Sequence, residues 1–195
     1  TWTWNAAACG LISTYEIFSS AGVNISGSLG VLTWTETGLL PGSAYGRQVR
    51  SKVGIAILAS SLSASVTAYT LPVVPGPAPA GAPAFTLGVS SLTVYWTSGT
   101  ASVGYNAVGT NYEIFLSTKS DFSVLHASAS ATTLSKGFGG LMTETTIYAR
   151  VKAINGAGQS SDWRDLSYFY LPYYSTVWVA GSGDWNVGSN WSKGT

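Results

Sequence analysis

The tetrapeptide Tyr-Glu-Ile-Phe occurs twice in this 195-residue chain, at positions 15–18 and 112–115, a spacing of 97 residues. Each copy is followed by a turn-rich segment, a leucine-led corner, a strand candidate and the dipeptide Leu-Pro, at 71–72 and 171–172. A period of about 100 residues is too long for a solenoid unit and typical of a small β-sandwich domain. We therefore expect two copies of one sandwich in tandem.

The repeat divides the chain into four parts. Residues 1–72 are expected to form a first domain that lacks its first strand, and residues 84–172 a complete second domain. Residues 73–83 contain several prolines and glycines, which cannot pair in a central strand and predict a stiff extended linker. Residues 173–195 remain as a partial module or a strand-donating tail. No run has a sustained helical period, so the predicted class is all-β.

The composition excludes two classes of partner. Charged residues make up 9% of the chain, against about 25% in ordinary soluble domains. A formal net charge of +1 provides no electrostatic footprint for nucleic acid. Ser, Thr, Gly and Pro interrupt every long apolar stretch, so no membrane insertion is expected. The uncharged, Thr/Ser/Gly-rich composition favours an extracellular or cell-surface location.

Residues with catalytic or metal-binding chemistry are scarce. His126 is the only histidine, and its neighbours Leu125 and Ala127 provide no triad context. The Asp/Asn-rich segment 184–190 has oxygen ligands at alternate positions but lacks the second and third carboxylates and the closing glutamate of a calcium loop, so a turn explains it better. Cys9, the only cysteine, cannot form an intrachain disulfide, and an inert residue or an intermolecular bridge remains. We expect no enzyme, no metal and no cofactor.

Three motifs together carry a resemblance to a known family. A tryptophan ends a strand in each unit, at Trp4 and Trp96, and the Tyr-Glu-Ile-Phe strand follows it. The corner of the first unit has Leu39, then Tyr45, then Val49, in the spacing of that family. Residues 1–172 therefore resemble tandem fibronectin type III domains, as in many bacterial secreted and surface proteins. The resemblance implies two immunoglobulin-like β-sandwiches, a fold that brings no chemistry of its own.

The resemblance also implies structural roles for individual side chains. Trp4 and Trp96 are expected in the cores, with sugar stacking as the alternative. The hydroxyl of Tyr45 is expected to hydrogen-bond to the backbone near the corner. In the second unit Ile147 stands where this tyrosine is expected, and Tyr148 comes one residue late.

Comparison of the two units predicts an ion pair in the first. Glu36 and Arg47 stand where the second unit has Phe138 and Ala149, at positions of inward parity on facing strands. We expect the two side chains to pair near the corner end of the core. The alternative is that each charge turns outward separately.

Two further segments are predicted to bind partners. The loop 53–58 carries Ile55, Ile57 and Leu58 where the second unit has a polar turn, and exposed apolar patches mark contacts. These side chains are expected to pack on whatever precedes the first domain, or else to fold back over its own core. Tail residues Val177, Trp178 and Val179 are expected to form a strand that a neighbouring molecule accepts. Otherwise covalent neighbours supply the missing parts, and the tail begins a third domain.

The tail and the tandem repeat together suggest a function. Residues 183–192 resemble the opening of a Trp/Asn-Gly repeat of large bacterial surface proteins. The first hypothesis is therefore a structural or assembly module of an extracellular surface or filamentous protein, which associates head to tail with copies of itself or with neighbouring modules. The alternative is an adhesion module that binds a carbohydrate or host ligand through Trp163, Trp185 and Trp191.

Overall fold

The computed structural model describes residues 1–8, 13–53, 58–173, 176–178, 182 and 191–193. Every regular element among them is a β-strand, which confirms the all-β prediction. Within these ranges, no helix has the length and apolar character that a membrane crossing requires.

In the described part of the first domain, six strands form two small sheets. They are β1 (Trp2–Thr3), β2 (Ser13–Ser19), β3 (Thr33–Trp34), β4 (Ala44–Val53), β5 (Leu58–Ala59) and β6 (Val66–Tyr69). In one sheet β1 pairs with β3, and in the other β4 lies between β2 on one side and β5 and β6 on the other, all antiparallel.

The second domain contains nine strands. Its strands are β7 (Phe85–Leu87), β8 (Leu92–Tyr95), β9 (Gly99–Thr100), β10 (Gly104–Tyr105), β11 (Asn111–Ser117), β12 (Leu125–Ala131), β13 (Ser135–Phe138), β14 (Thr145–Ile154) and β15 (Arg164–Leu171). A three-stranded sheet, β13-β8-β7, faces a four-stranded sheet, β12-β11-β14-β15, and β9 pairs with β10.

The two domains bury very different amounts of apolar surface. Along β14 every second residue from Ile147 to Ala153 is fully buried, as expected when alternate side chains face the core. The core of the second domain joins thirteen buried residues: Leu92, Val94, Trp96, Tyr112, Ile114, Leu116, Leu141, Ile147, Ala149, Val151, Ala153, Phe169 and Leu171. In the described part of the first domain, the buried hydrophobic side chains are Tyr15, Ile17 and Phe18.

Strand register shows which residues of the two domains are equivalent. Tyr45 lies opposite Ala68, and its equivalent Ile147 lies opposite Phe169. The Leu-Pro dipeptides are one residue out of this register. In the second domain Leu171 lies opposite Thr145, and in the first domain the equivalent pairing is made by Thr70, the residue before the dipeptide. Leu171 is consequently buried, whereas Leu71 is 66% exposed. The matching letters therefore do not mark equivalent positions.

The linker predicted for residues 73–83 is docked on the second domain at its start. Pro75 and Gly76 are buried. The Gly76 N–H donates to the Thr97 carbonyl at 3.0 Å, and the Thr97 N–H donates back at 3.3 Å. The first residues of the segment therefore belong to the packed structure and do not act as a free spacer.

The tail forms a hairpin of its own. Strand β16 (Thr176–Trp178) pairs with β17 (Trp191–Lys193), with Trp178 opposite Trp191. One edge of β16 is therefore already paired, and donation of this strand to a neighbouring molecule stays a prediction. Val179 lies outside the described residues.

Candidate functional site

The tyrosine corner of the first domain has the predicted geometry. The Leu40 N–H donates to the Tyr45 hydroxyl at 2.8 Å, which confirms the expected hydrogen bond to the backbone. This bond holds the turn that leads into β4. The next residue, Pro41, uses its carbonyl to accept a hydrogen bond of 3.1 Å from the Ala107 N–H of the second domain.

Glu36 and Arg47 form the ion pair that the sequence predicts. Arg47 Nη2 lies 2.5 Å from Glu36 Oε1 and Nε lies 3.0 Å from Oε2, a two-point contact. Trp2 Nε1 also donates to Glu36 Oε2 at 3.1 Å. The side chains of Arg47 and Glu36 are 10% and 13% exposed, so separate outward orientations are excluded. The contribution of the pair to stability stays a prediction.

A cavity opens between the two sheets of the first domain, and we call it the seam. Its volume is about 360 Å³. It lies beside the ion pair, since Arg47 is part of its wall. Apolar side chains make up most of the lining, chiefly Trp2, Trp4, Ile17, Val49, Ala64 and Val66.

The second domain shows why the seam is open. There β7 pairs with the edge of β8, and the rings of Phe85 and Phe169 lie 4.1 Å apart between the sheets. On β1, which corresponds to β8, the edge away from β3 has no strand among the described residues. Ala68 also replaces Phe169, and it is exposed in spite of its inward parity. The Phe169 ring therefore has no counterpart on β6.

The seam also explains the different burial of two equivalent tryptophans. Trp96 is fully buried and its ring lies 5.6 Å from that of Tyr112, so its predicted place in the core is confirmed. Trp4 makes the corresponding contact with Tyr15 at 5.7 Å. It is only half-buried, however, because it lines the open seam.

The predicted partner-binding loop is described at one residue only. Leu58 begins the short strand β5, which pairs with the end of β4, so the backbone turns back on its own sheet. The side chain of Leu58 is nevertheless 72% exposed, so it is not folded over the domain's core. Ile55 and Ile57 lie outside the described residues.

The two domains meet at a joint made by two asparagines. Asn106 Oδ1 accepts from the Val73 N–H and Nδ2 donates to the Val73 carbonyl, both at 2.8 Å. Asn155 Nδ2 donates to the Thr70 carbonyl at 2.9 Å. Both asparagines are 5% exposed, so their polar groups depend on these bonds. The sequence analysis missed them, since residue 155 lies in what reads as an ordinary polar turn.

Asn106→Ala is expected to destabilise the joint by about 1–3 kcal/mol, because the Val73 N–H and carbonyl lose their partner. The two domains should then reorient more freely. Small-angle scattering and residual dipolar couplings measure this change, and Asn5→Ala, at an exposed position outside the joint, serves as the control. Unchanged couplings in Asn106→Ala would show that the joint is held by other contacts.

A buried carboxylate occupies the outer face of the first domain. Glu16 is 8% exposed at its side chain and accepts hydrogen bonds from Arg50 Nε at 2.7 Å and Lys52 Nζ at 3.0 Å. Burial alone would raise the pKa of the Glu16 carboxyl, but the hydrogen bonds and charges of Arg50 and Lys52 hold it below its usual 4.5. The second domain keeps a simpler version, with Lys152 Nζ 2.8 Å from Glu113 Oε2.

The lowered pKa of Glu16 predicts a pH-dependent stability. As the pH falls, Glu16 binds a proton at a lower pH in the folded chain than in the unfolded chain, where it does so near pH 4.5. The contribution of Glu16 is therefore complete above this pH and is lost as pH falls through the folded-state pKa. Urea denaturation at pH values from about 6 to about 3 should show a smaller loss of unfolding free energy in Glu16→Gln than in the original chain. An equal loss in both proteins would exclude Glu16 as the cause.

Trp163, which the adhesion hypothesis expects to be free to bind a ligand, is instead packed against other side chains. The ring of Trp163 lies under two cations of β14, with Arg150 Cζ at 4.4 Å and Lys152 Nζ at 4.7 Å from its centroid. The Phe115 ring is 4.8 Å away. Trp163 is therefore part of the packed sheet surface. Trp185 and the side chain of Trp191 lie outside the described residues.

A row of exposed tyrosines lies elsewhere on the same sheet, and we call it the tyrosine strip. Tyr168 and Tyr170, on the edge strand β15, are 65% and 56% exposed, and the Tyr148 ring lies 5.9 Å from that of Tyr168. The sequence analysis missed this surface. The alternation of these tyrosines with the buried Phe169 and Leu171 was the available signal.

Within the described ranges, no group of three or more His, Cys, Asp or Glu side chains is placed to hold a metal ion. His126 lies half-buried on β12. Cys9 and the segment 184–190 belong to the part of the chain that the structure does not describe, so the predictions for them stay predictions.

Comparison with known proteins shows the fold. No protein-family model matches the sequence, and no curated protein matches it either. A two-domain fibronectin type III segment of chicken tenascin superposes with a TM-score of 0.50 at 13% identity, over 86% of this chain and 89% of that one. The chain thus has the architecture of two tandem fibronectin type III sandwiches.

Two other solved structures are similar to a lesser degree. The FN1–FN3 domains of chicken CNTN1 match with a TM-score of 0.39 and 15% identity, over 87% of this chain and 61% of that one. Domains d3–d4 of the rat CD45 extracellular region match with a TM-score of 0.38 and 14% identity, over 70% of each chain.

Proposed function

We propose that this chain is a structural module of an extracellular surface or filamentous protein, and that its copies associate head to tail. The observation that carries the proposal is the joint between the two domains. There the corner of the first domain, with Pro41 and Gly42, meets the loops of Asn106 and Asn155 in the second. By sequence, the corner has an equivalent that begins at Leu141 in the second domain, and the Asn155 loop has one in the first domain, of which Leu58 is described.

Both equivalent surfaces expose apolar side chains. In the second domain the corner carries Met142, which is 57% exposed. In the first domain the loop equivalent to that of Asn155 ends at Leu58, which is 72% exposed. Apolar groups of this kind at the ends of a module mark contacts. A second copy arranged as the internal joint arranges the domains would bring the Met142 corner of one molecule towards the end of the first domain of the next, where Leu58 lies.

Such an arrangement is head to tail, so it extends into a filament unless it closes into a ring. The fold itself supplies no chemistry, and the low content of charged residues suits a structural component. The resemblance of residues 183–192 to repeats of large bacterial surface proteins supports the same location and source.

Sedimentation velocity tests the association directly. The average mass should rise with concentration, and either Met142→Lys or Leu58→Lys should weaken association by placing a charge in an apolar contact. Leu125→Lys is the matched control, because Leu125 is also 57% exposed but lies on the edge strand β12. A chain that remains monomeric at every concentration contradicts the proposal.

The tyrosine strip favours the second candidate function, adhesion to a carbohydrate or host ligand. Tyrosine presents a flat apolar ring with a polar hydroxyl, the combination that binding surfaces favour. Tyr168→Ser with Tyr170→Ser should abolish binding to immobilised polysaccharide if this function holds. Binding that survives the double substitution would place the ligand elsewhere.

A further inference from the structure

The joint between the two domains contains a dipeptide that is chemically unstable. Of the seven asparagines in the sequence, Asn155 alone is followed by glycine. In an Asn-Gly pair the backbone nitrogen of the glycine can attack the side-chain amide carbon, and a succinimide ring forms. Glycine has no Cβ to obstruct this approach. The pair at 155–156 is therefore the position where an asparagine of this chain converts most readily to aspartate.

The contact between the domains requires both residues of this pair. Asn155 Nδ2 donates to the Thr70 carbonyl of the first domain at 2.9 Å. At the next position a Cβ would lie only 2.5 Å from Cε1 of Tyr69, so the Tyr69 ring packs where only glycine leaves room for it. A side chain that would slow the attack is thus excluded at Gly156, and the amide is needed at Asn155.

The loop also holds the side-chain carbonyl of Asn155 as the reaction requires. Its Oδ1 accepts hydrogen bonds from the Ala157 N–H at 3.0 Å and from the Gln159 N–H at 2.9 Å. Attack on Cγ places negative charge on this oxygen, and two backbone N–H groups aimed at such an oxygen stabilise that charge. The N–H of Gly156 donates to no acceptor among the described residues, and Gly156 is exposed, so a base in solution reaches its proton. The fold therefore favours the reaction.

We propose that Asn155 is a self-modification site, and that its conversion opens the joint. The Gly156 nitrogen gives up its proton and forms a bond to Cγ of Asn155. The bond from Cγ to Nδ2 breaks, and Nδ2 takes up a proton and leaves as ammonia. Water then adds to one of the two ring carbonyls and opens the ring, which gives aspartate or isoaspartate. Water is the only other reactant, and nothing is oxidised or reduced.

The product cannot make the bonds that hold the two domains together. Asn155 Nδ2 donates to the Thr70 carbonyl and to Gln159 Oε1, each at 2.9 Å. A carboxylate in this place has no hydrogen to donate and brings a negative charge against two oxygens. Asn155 is 5% exposed, so water compensates little of this loss while the joint is closed. The modified chain therefore favours an open joint.

Peptide mapping by mass spectrometry tests the reaction. The full chain is incubated in mildly alkaline buffer without denaturant, and all seven asparagines are followed. Asn155 should convert at least about tenfold faster than Asn5, which precedes an alanine. Isoaspartate should be found beside aspartate, because the ring opens in two directions, and aspartate alone would overturn the ring route. Conversion of Asn155 only in urea would overturn the inference, because the fold would then protect the pair.

Asn155→Asp tests the effect on the joint, and Asn5→Asp is the matched control at an exposed position outside it. Residual dipolar couplings of the original chain should fit one alignment for both domains. In Asn155→Asp each domain should need an alignment of its own, whereas Asn5→Asp should keep the single alignment. The chain converted by incubation provides the same comparison without a substitution. A single alignment in both modified proteins would overturn the claim that conversion opens the joint.

Conversion and opening take place within one molecule, so they do not depend on head-to-tail association. Isoaspartate at position 155 in a chain that never assembles would support the modification site and contradict the proposed function. Filaments in which Asn155 stays intact throughout the incubation would support the proposed function and overturn the modification site.

Discussion

Trp96→Ala is expected to lower the free energy of unfolding of the second domain by about 3–5 kcal/mol, the usual cost of removing a large aromatic side chain from a core. Trp96 is fully buried against Tyr112. The packed thirteen-residue core around it cannot collapse into the cavity that its removal would leave. Differential scanning calorimetry should resolve this change as an earlier melting of one of two transitions.

Trp4→Ala is the matched control for this experiment. Trp4 is the equivalent residue, but it is half-buried and lines the seam. Its removal enlarges a space that already exists, so we expect a loss of about 2 kcal/mol or less in the first domain. A cost as large as that of Trp96→Ala would mean that the seam is closed in solution.

Glu36→Ala is expected to destabilise the first domain by about 3–5 kcal/mol, because Arg47 would remain as a nearly buried cation without its carboxylate. The side chain of Arg47 is 10% exposed, and its two-point contact with Glu36 supplies most of its hydrogen bonds. Urea denaturation monitored by tryptophan fluorescence measures the loss.

The double variant Glu36→Phe with Arg47→Ala separates the cost of an orphaned charge from the value of the pair. It reproduces Phe138 and Ala149, the apolar solution of the second domain. Replacing a buried ion pair by packed apolar residues is often neutral, so we expect a change within about 1 kcal/mol of the original chain. A loss as large as that of Glu36→Ala would show that the pair itself is strongly stabilising.

Comparison within the sequence could predict the fold and several side-chain contacts. The repeated tetrapeptide marks a strand whose alternate residues enter the core, and this period does not depend on distant pairing. The Tyr45 corner is local, since its donor Leu40 is five residues away. The Glu36–Arg47 pair was accessible because the second unit shows apolar residues at the same two positions.

Register was less accessible, and the Leu-Pro dipeptides illustrate the reason. A shift of one residue moves a side chain to the other face of a sheet, and matching letters cannot reveal such a shift. Leu71 and Leu171 therefore share a sequence context but not an environment. The tail hairpin was missed for a related reason, because a three-residue strand carries too little pattern to show its partner.

The joint could not be predicted because its partners are far apart along the chain. Asn155 and Thr70 are separated by 85 residues, and nothing near either of them indicates the other. The tyrosine strip was overlooked for a different reason. Its tyrosines alternate with buried apolar residues along β15, and this pattern is visible in the sequence.

The joint has a consequence for how the angle between the two domains responds to salt. Its bonds run from neutral asparagine amides to backbone groups, and no charged residue occurs between Val53 and Tyr112. Dissolved ions screen interactions between exposed charges that lie more than about 10 Å apart at moderate salt, but these neutral bonds give them little to screen. The angle between the two domains should therefore be the same in dilute buffer and in brine.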